Sequence, residues 1–259
     1  MLSLQMSMLV LFGTILGSFL NVCIYRLPRK ESIVWPNSHC PYCKYPIPIW
    51  KNIPLLSYIL LGGKCSNCKT KISVTYPLVE LVTALLLILV WQQFGWTTLF
   101  WQHTFLILLL ITISLIDLNH KLILNVLTFP GIAMGLALAL IFNTISPLQA
   151  ILGLFMGGGF LWLVGYAGKI LFKQDSMGAG DVKLAAMIGS FIGPTVVVAL
   201  FFAFFLALPV IAIGLISGRL KMGHTIPFGP FISLGTVLII CFGTKLYHVY
   251  FNLIDRIIY

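Results

Sequence analysis

Eight apolar runs, Leu4–Tyr25, Pro77–Phe94, Thr104–Ile116, Ile123–Phe142, Leu148–Leu171, Val182–Ile192, Thr195–Ser217 and Phe228–Phe251, take up most of this chain and leave little of it for a water-soluble fold. A helix that crosses a bilayer needs about 20 consecutive apolar residues to cover the hydrocarbon core. Hydrophobic residues make up 59% of the chain and charged residues only 8%, where soluble proteins carry about 25% charged residues. The reading is an all-α polytopic membrane protein with about eight transmembrane helices. The third and sixth runs are short for a full span, and each lies beside an aspartate, which fits polar ends facing a cavity. Met1–Tyr25 has neither a basic segment ahead of its apolar run nor a small-residue cleavage site, so it reads as a first spanning helix rather than a removed signal.

The formal charge of +10 arises from 16 Lys and Arg against 6 acidic residues. Its distribution follows the positive-inside rule. Arg26, Arg29, Lys30, Lys44, Lys51, Lys64, Lys69 and Lys71 lie between the first two runs. Lys121, then Lys169 and Lys173, then Arg219 and Lys221 follow the third, fifth and seventh. The connections around 95–102, 143–147 and 193–194 have no Lys or Arg. The loops after odd-numbered runs are therefore expected in the cytoplasm and both termini outside, although Lys245 and Arg256 near the far end run against this. No Lys/Arg-rich helix or RNA-binding motif points to a nucleic-acid partner; the expected setting is the lipid bilayer of a cell inner or plasma membrane.

Three regions follow: residues 1–25 as the first transmembrane helix, 26–76 as a small cytoplasmic module, and 77–259 as a membrane helix bundle. The module contains Cys40-Pro-Tyr-Cys43 and Cys65-Ser-Asn-Cys68, two C-x-x-C pairs separated by 21 residues. Four thiolates so arranged suit tetrahedral Zn²⁺. About 50 residues bury too little core to fold alone, and metal binding supplies folding free energy. Disulfides are the alternative, disfavoured where thiols stay reduced. With four thiolates the site has no open position, which points to a structural ion. Cys23 and Cys241 stand alone in apolar surroundings and read as core residues.

Only Glu31, Glu80, Asp117, Asp175, Asp181 and Asp255 could supply carboxylate chemistry. Asp117 ends one apolar run, and Asp181 stands at the end of Gly178-Ala179-Gly180-Asp181 before another. Either alone fits a carboxylate that caps a helix. Together, at similar depth on one side, they can meet in a bundle and share a proton, giving the acid and the base needed to activate water against a peptide carbonyl. Gly178 and Gly180 carry no side chains and would let a peptide backbone approach Asp181. Lys183 has two readings, a charge near the dyad or a snorkelling surface cation.

In this order the motifs resemble the type 4 prepilin peptidase family. The resemblance rests on Gly17-Ser18-Phe19-Leu20-Asn21-Val22, Tyr25-Arg26-Leu27-Pro28, Asn52-Ile53-Pro54-Leu55-Leu56-Ser57-Tyr58, Gly63-Lys64-Cys65, Ile72-Ser73, Tyr76-Pro77-Leu78-Val79-Glu80, Gly178-Ala179-Gly180-Asp181-Val182-Lys183-Leu184 and Pro227-Phe228-Gly229-Pro230-Phe231. It implies an aspartyl endopeptidase that removes the basic leader of type 4 prepilins or pseudopilins on the cytoplasmic side. It also implies methylation of the new N-terminus with S-adenosylmethionine. Asp117 and Asp181 match the family's catalytic pair, and the G-x-G-D motif is shared with other intramembrane aspartyl proteases.

One departure is Ile123-Leu124-Asn125, where the family has Ile-Pro-Asp or Ile-Pro-Asn, so the turn there is expected to be less constrained. No glycine-rich cofactor loop marks a methyl-transfer site. The complete N-terminal module supports that activity, with Glu80, Asn21 and Arg26 as its candidate residues. Glu80 fits equally an interfacial carboxylate paired to Lys71 or Arg26. A proton-coupled transporter and a non-enzymatic assembly scaffold are the rival classes.

Overall fold

In the computed structural model the described residues are 2–173, 177–218 and 226–258, with the side chains of residues 2, 3, 49, 172 and 244 onward outside that description. Asp175, Arg219, Lys221 and His224 lie outside the described residues, as do the side chains of Lys245, Asp255 and Arg256. The helices are α1 (Leu2–Arg26), α2 (Leu56–Leu60), α3 (Thr75–Phe94), α4 (Thr98–His120), α5 (Asn125–Phe142), α6 (Pro147–Phe172), α7 (Ala179–Ile192), α8 (Val196–Ile216) and α9 (Gly229–Ile258). Extended pairing among the described residues is confined to two isolated bridges, His39 with Pro46 and Lys64 with Lys71. The chain divides into two compact units, Met1–Gly95 and Trp96–Tyr259.

In the first unit α1 packs along α3. The approach is close because Gly13 and Gly17, four residues apart, share one face of α1. A Cβ on Gly13 would lie 2.5 Å from the Ala84 Cα, and one on Gly17 would lie 2.6 Å from the Glu80 Cα. In lipid, where apolar surface gains nothing from contact with apolar surface, small residues that let backbones touch are what hold helices together. The second unit uses the same device between α6 and α7, where Gly153 and Gly189 meet backbone to backbone. The start of α6 was written in the sequence as Ser146-Pro147-Leu148-Gln149. The Ser146 hydroxyl accepts the Gln149 N–H at 3.2 Å, and the Gln149 side chain accepts the Ser146 N–H at 3.3 Å, a reciprocal capping box.

Six stretches among the described residues are long and apolar enough to cross a membrane, against about eight expected. The difference has two sources. At 14 residues, α7 is too short alone and runs through the turn Gly193–Thr195 into α8, so the two form one apolar stretch, Ala179–Ile216. Of α9, Gly229–Gly243 is the apolar part that falls among the residues with described side chains, and it is shorter than a full span. The third run, expected to be short, belongs to a helix of 23 residues. Its polar first turns hid this: Gln102 is buried and donates to the Phe191 carbonyl at 2.6 Å, so it belongs to the packed bundle rather than to a loop. At the departure from the family pattern, Leu124 precedes α5 with φ −79°, within the range a proline ring imposes. A proline would also fit the backbone at this position.

Candidate active site and metal centre

In the second unit, Asp117 lies in the last turn of α4 and is 5% exposed. That end of a helix carries partial negative charge and disfavours a carboxylate. A residue placed there only for stability would be a cation or a neutral cap. The compensation comes from α9, whose first residue turns its backbone toward the aspartate: the Gly229 N–H donates to Asp117 Oδ2 at 3.0 Å in a buried bond. A Cβ on Gly229 would lie 2.8 Å from the same oxygen. Gly229 belongs to the motif Pro227–Phe231, but its role is not legible from residue types, because a backbone donor leaves no side-chain signal. The one hint was a glycine directly before a proline where an apolar run opens.

Asp181 sits in the first turn of α7, and its carboxylate accepts the Gly178 N–H. This is half of a capping box, so the helix-cap reading describes one of its oxygens. The other, Oδ1, is buried with no hydrogen-bond partner among the described residues. An unsatisfied buried carboxylate oxygen costs free energy that a cap alone does not explain. The carboxyl groups of Asp181 and Asp117 lie within electrostatic reach of one another, and α4, α7 and α9 are in mutual contact. Gly178 leaves room for the Asp181 carboxylate, since a Cβ there would lie 2.8 Å from Oδ2. The space at Gly180 is filled by Ile123, 2.8 Å from where a Cβ would stand. Its missing side chain thus lets the turn after α4 close on α7. Lys183 donates to Asn125 Oδ1 at 3.0 Å, lies 5.5 Å from the Phe129 ring, and pairs with neither aspartate among the described residues. It ties α7 to α5.

A Gly229→Ala variant tests this arrangement directly. The added methyl must displace the Asp117 carboxylate, so peptide cleavage should fall by at least about tenfold, as expected when a reacting group is misplaced by a fraction of an ångström. Unchanged initial rates in a cleavage assay would show that the Gly229 contact is incidental.

In the first unit the four cysteine sulfurs all lie within 4.8 Å of one another. Those of Cys40 and Cys68 are 3.8 Å apart. A disulfide needs about 2.05 Å, whereas a tetrahedral metal with bonds of about 2.3 Å spaces its sulfurs at about 3.8 Å. Two hairpins of the same design present them. Cys40 N–H bonds to Tyr45 and Lys44 N–H back to Cys40; Cys65 N–H bonds to Thr70 and Lys69 N–H back to Cys65. Each hairpin is too short to register as a repeat in the sequence. The Thr70 hydroxyl, first among its neighbours, holds the Cys68 thiol down to about 6, and the Asn67 N–H lowers that of Cys65. Burial pushes the Cys40 thiol up. Thiolate character is what a metal requires.

Glu80, Asn21 and Arg26 come together at one cavity of about 490 Å³ in the same unit. Asn21 Nδ2 donates to the Tyr76 carbonyl at 3.0 Å. Arg26 donates to the carbonyls of Ser32 at 2.8 Å, Pro36 at 2.6 Å and Asn37 at 3.5 Å. Glu80 Oε2 accepts the Leu55 N–H at 2.8 Å, and the Ser18 hydroxyl bonds the same carboxylate. Among the described residues neither Lys71 nor Arg26 pairs with Glu80, which removes the ion-pair reading. Cys23 and Cys241 are buried, as expected of core residues.

Residues 11–94 match the family model described as the bacterial peptidase A24 N-terminal domain, and residues 104–213 match that of the type IV leader peptidase family. A prepilin leader peptidase/N-methyltransferase of Pseudomonas aeruginosa is 36% identical over 271 aligned positions, covering 93% of this chain and 91% of the relative. The protein of that name from Neisseria gonorrhoeae is 36% identical over 86% of this chain and 85% of its own length. A type 4 prepilin-like proteins leader peptide-processing enzyme of Escherichia coli is 37% identical over 87% and 89%. No solved structure matches the chain.

Proposed function

The chain belongs to the type IV leader peptidase family, and on that premise we propose that it removes the basic leader of type 4 prepilins or pseudopilins and then methylates the exposed N-terminal amine with S-adenosylmethionine. What supports the proteolytic half is that Asp117 and Asp181 lie within electrostatic reach of one another, one oriented by the Gly229 N–H and the other left with a buried oxygen that has no partner among the described residues. One carboxylate takes a proton from water as that water attacks the scissile carbonyl. The other gives a proton to the carbonyl oxygen and then to the leaving amine. The two titrate as a unit. No covalent intermediate is required, because among the described residues the site offers no serine or cysteine with an adjacent base. Gly178 and Gly180 shape the backbone on which Asp181 is held.

The cysteine cluster can hold a metal, and its four sulfur donors favour Zn²⁺ in a closed structural site held by Cys40, Cys43, Cys65 and Cys68. The chain is a multi-pass membrane protein. The distribution of Lys and Arg supports eight membrane helices, with α7 and α8 counted separately, both termini outside, and the module of residues 26–76 and the protease site at the cytoplasmic side of the bundle of residues 77–259. None of the relatives named above is described as a transporter or a scaffold, and no contact among the described residues favours either.

The deciding experiment incubates the purified, detergent-solubilised chain with a prepilin bearing a basic leader and follows product mass with and without S-adenosylmethionine. The expected product has lost its leader and, only with the methyl donor present, gained one methyl. Leader loss without the methyl would leave a peptidase alone. An intact substrate in the presence of folded enzyme would end the proteolytic reading.

A further inference from the structure

We propose that the loop of residues 32–37 folds back into the lipid leaflet beside α1, with Ile33, Val34 and Trp35 among phospholipid chains and Arg29 and Lys30 at anionic headgroups. The loop follows α1, a helix long and apolar enough to cross a membrane. Its base is tied to the end of that helix, where the buried Arg26 guanidinium donates to the Ser32 carbonyl at 2.8 Å and the Pro36 carbonyl at 2.6 Å. The tip between these two anchors is uncovered. Val34 is 80% exposed, Trp35 is 71% exposed, and Ile33 is exposed as well. Three adjacent large apolar side chains at a loop tip are unfavourable in water, and Trp is enriched where a membrane meets water.

What covers the tip follows from what lies beside it. Loop and helix share a cleft of about 530 Å³, lined by Ile33, Val34 and Pro36 on one side and by Leu11, Ile15 and Val22 of α1 on the other. Those α1 residues recur on one helical face. Leu11 and Ile15 are 61% and 51% exposed, while the opposite face holds Gly13 and Gly17 against α3. The cleft therefore opens on the lipid side of a membrane helix. Its other end is polar, with Asn37 and Asn52 in the lining beside Arg26. An apolar trough with a polar end matches a phospholipid, chain below and headgroup above. The charge agrees. Arg29 and Lys30 are exposed just before the loop, and residues 26–76 hold eight Lys and Arg against one acid, Glu31. A segment so charged, next to a membrane helix, is drawn to an anionic leaflet. The same charge disfavours a second copy of this chain at that face.

The test places the full-length, metal-loaded protein, labelled with fluorotryptophan, in nanodiscs of phosphatidylglycerol and phosphatidylcholine. The Trp35 fluorine signal is identified by its loss in Trp35→Phe. A lipid bearing a nitroxide high on its acyl chain should lower that signal at least about threefold, as expected of a tryptophan at the interface, and a water-soluble gadolinium chelate should leave it nearly unchanged. Broadening by the chelate and not by the lipid would place the tip in water and overturn the proposal. Insensitivity to both would put protein over the tip, a second copy or another segment, and overturn it equally. Val34→Glu, with Trp35 kept, should reverse the ranking of the two agents while metal content and helical circular dichroism stay the same. An unreversed ranking would mean that the apolar tip does not hold the loop in the leaflet. In phosphatidylcholine alone the lipid effect should weaken at least about twofold, as the surface charge is gone; an equal effect would remove Arg29 and Lys30 from the proposal.

Discussion

Asp117→Ala and Asp181→Ala should each leave a folded, metal-bearing protein whose cleavage of a prepilin is slower by on the order of 10⁴-fold, the upper range for a positioned acid or base. The expectation differs from simple destabilisation in two ways. First, the double variant should be no slower than the worse single one, because groups that act as a unit are not additive. Second, Asp181→Asn should separate chemistry from capping. Its amide oxygen can still accept the Gly178 N–H, so the start of α7 is kept, whereas the proton shuttle is lost. If capping were the whole role of Asp181, the asparagine variant would cleave normally, and loss of the cap in the alanine variant would cost only about 1 kcal/mol. Single-turnover rates measured by product mass would decide. Cleavage within tenfold of wild type by either alanine variant would remove the dyad from the mechanism.

The bundle was legible because a membrane forces helices to declare themselves. Long apolar runs have no other stable form in lipid, and the observed helices fall on the expected runs. The sequence is less legible where polar residues serve the interior. Gln102 looked like the edge of a loop and is a buried donor to the last turn of α7. The aspartates stood out because acids are rare in this chain. What completes their site did not stand out, since the Gly229 N–H and the Leu55 N–H are backbone groups present at nearly every position. Their direction is set by the start of α9 and by the strained turn before α2, and neither orientation can be read from residue types. The family departure at Leu124 was visible in the sequence, and the residue holds a φ that a proline ring would also hold.

Metal removal should act on the cysteine module first. Cys65→Ser, or a strong chelator, should reduce bound metal from one ion per chain to near zero and open the segment between Cys40 and Thr70 to proteases. The reason lies in the hairpins themselves. Each turns through a lysine in the left-handed region, Lys44 at φ 57° and Lys69 at φ 59°, a conformation that costs about 1–2 kcal/mol for a residue with a side chain. Few long-range apolar contacts are available in so short a segment to offset this, whereas a four-thiolate zinc site contributes about 10–16 kcal/mol to folding. Cys40 and Cys65 also line the cavity of the N-terminal unit, so metal loss should deform the walls of that cavity as well. Limited proteolysis of the chelated sample tests this. A digestion pattern that does not change when the metal leaves would mean that the hairpins hold their shape unaided and that the ion has a role other than a structural one.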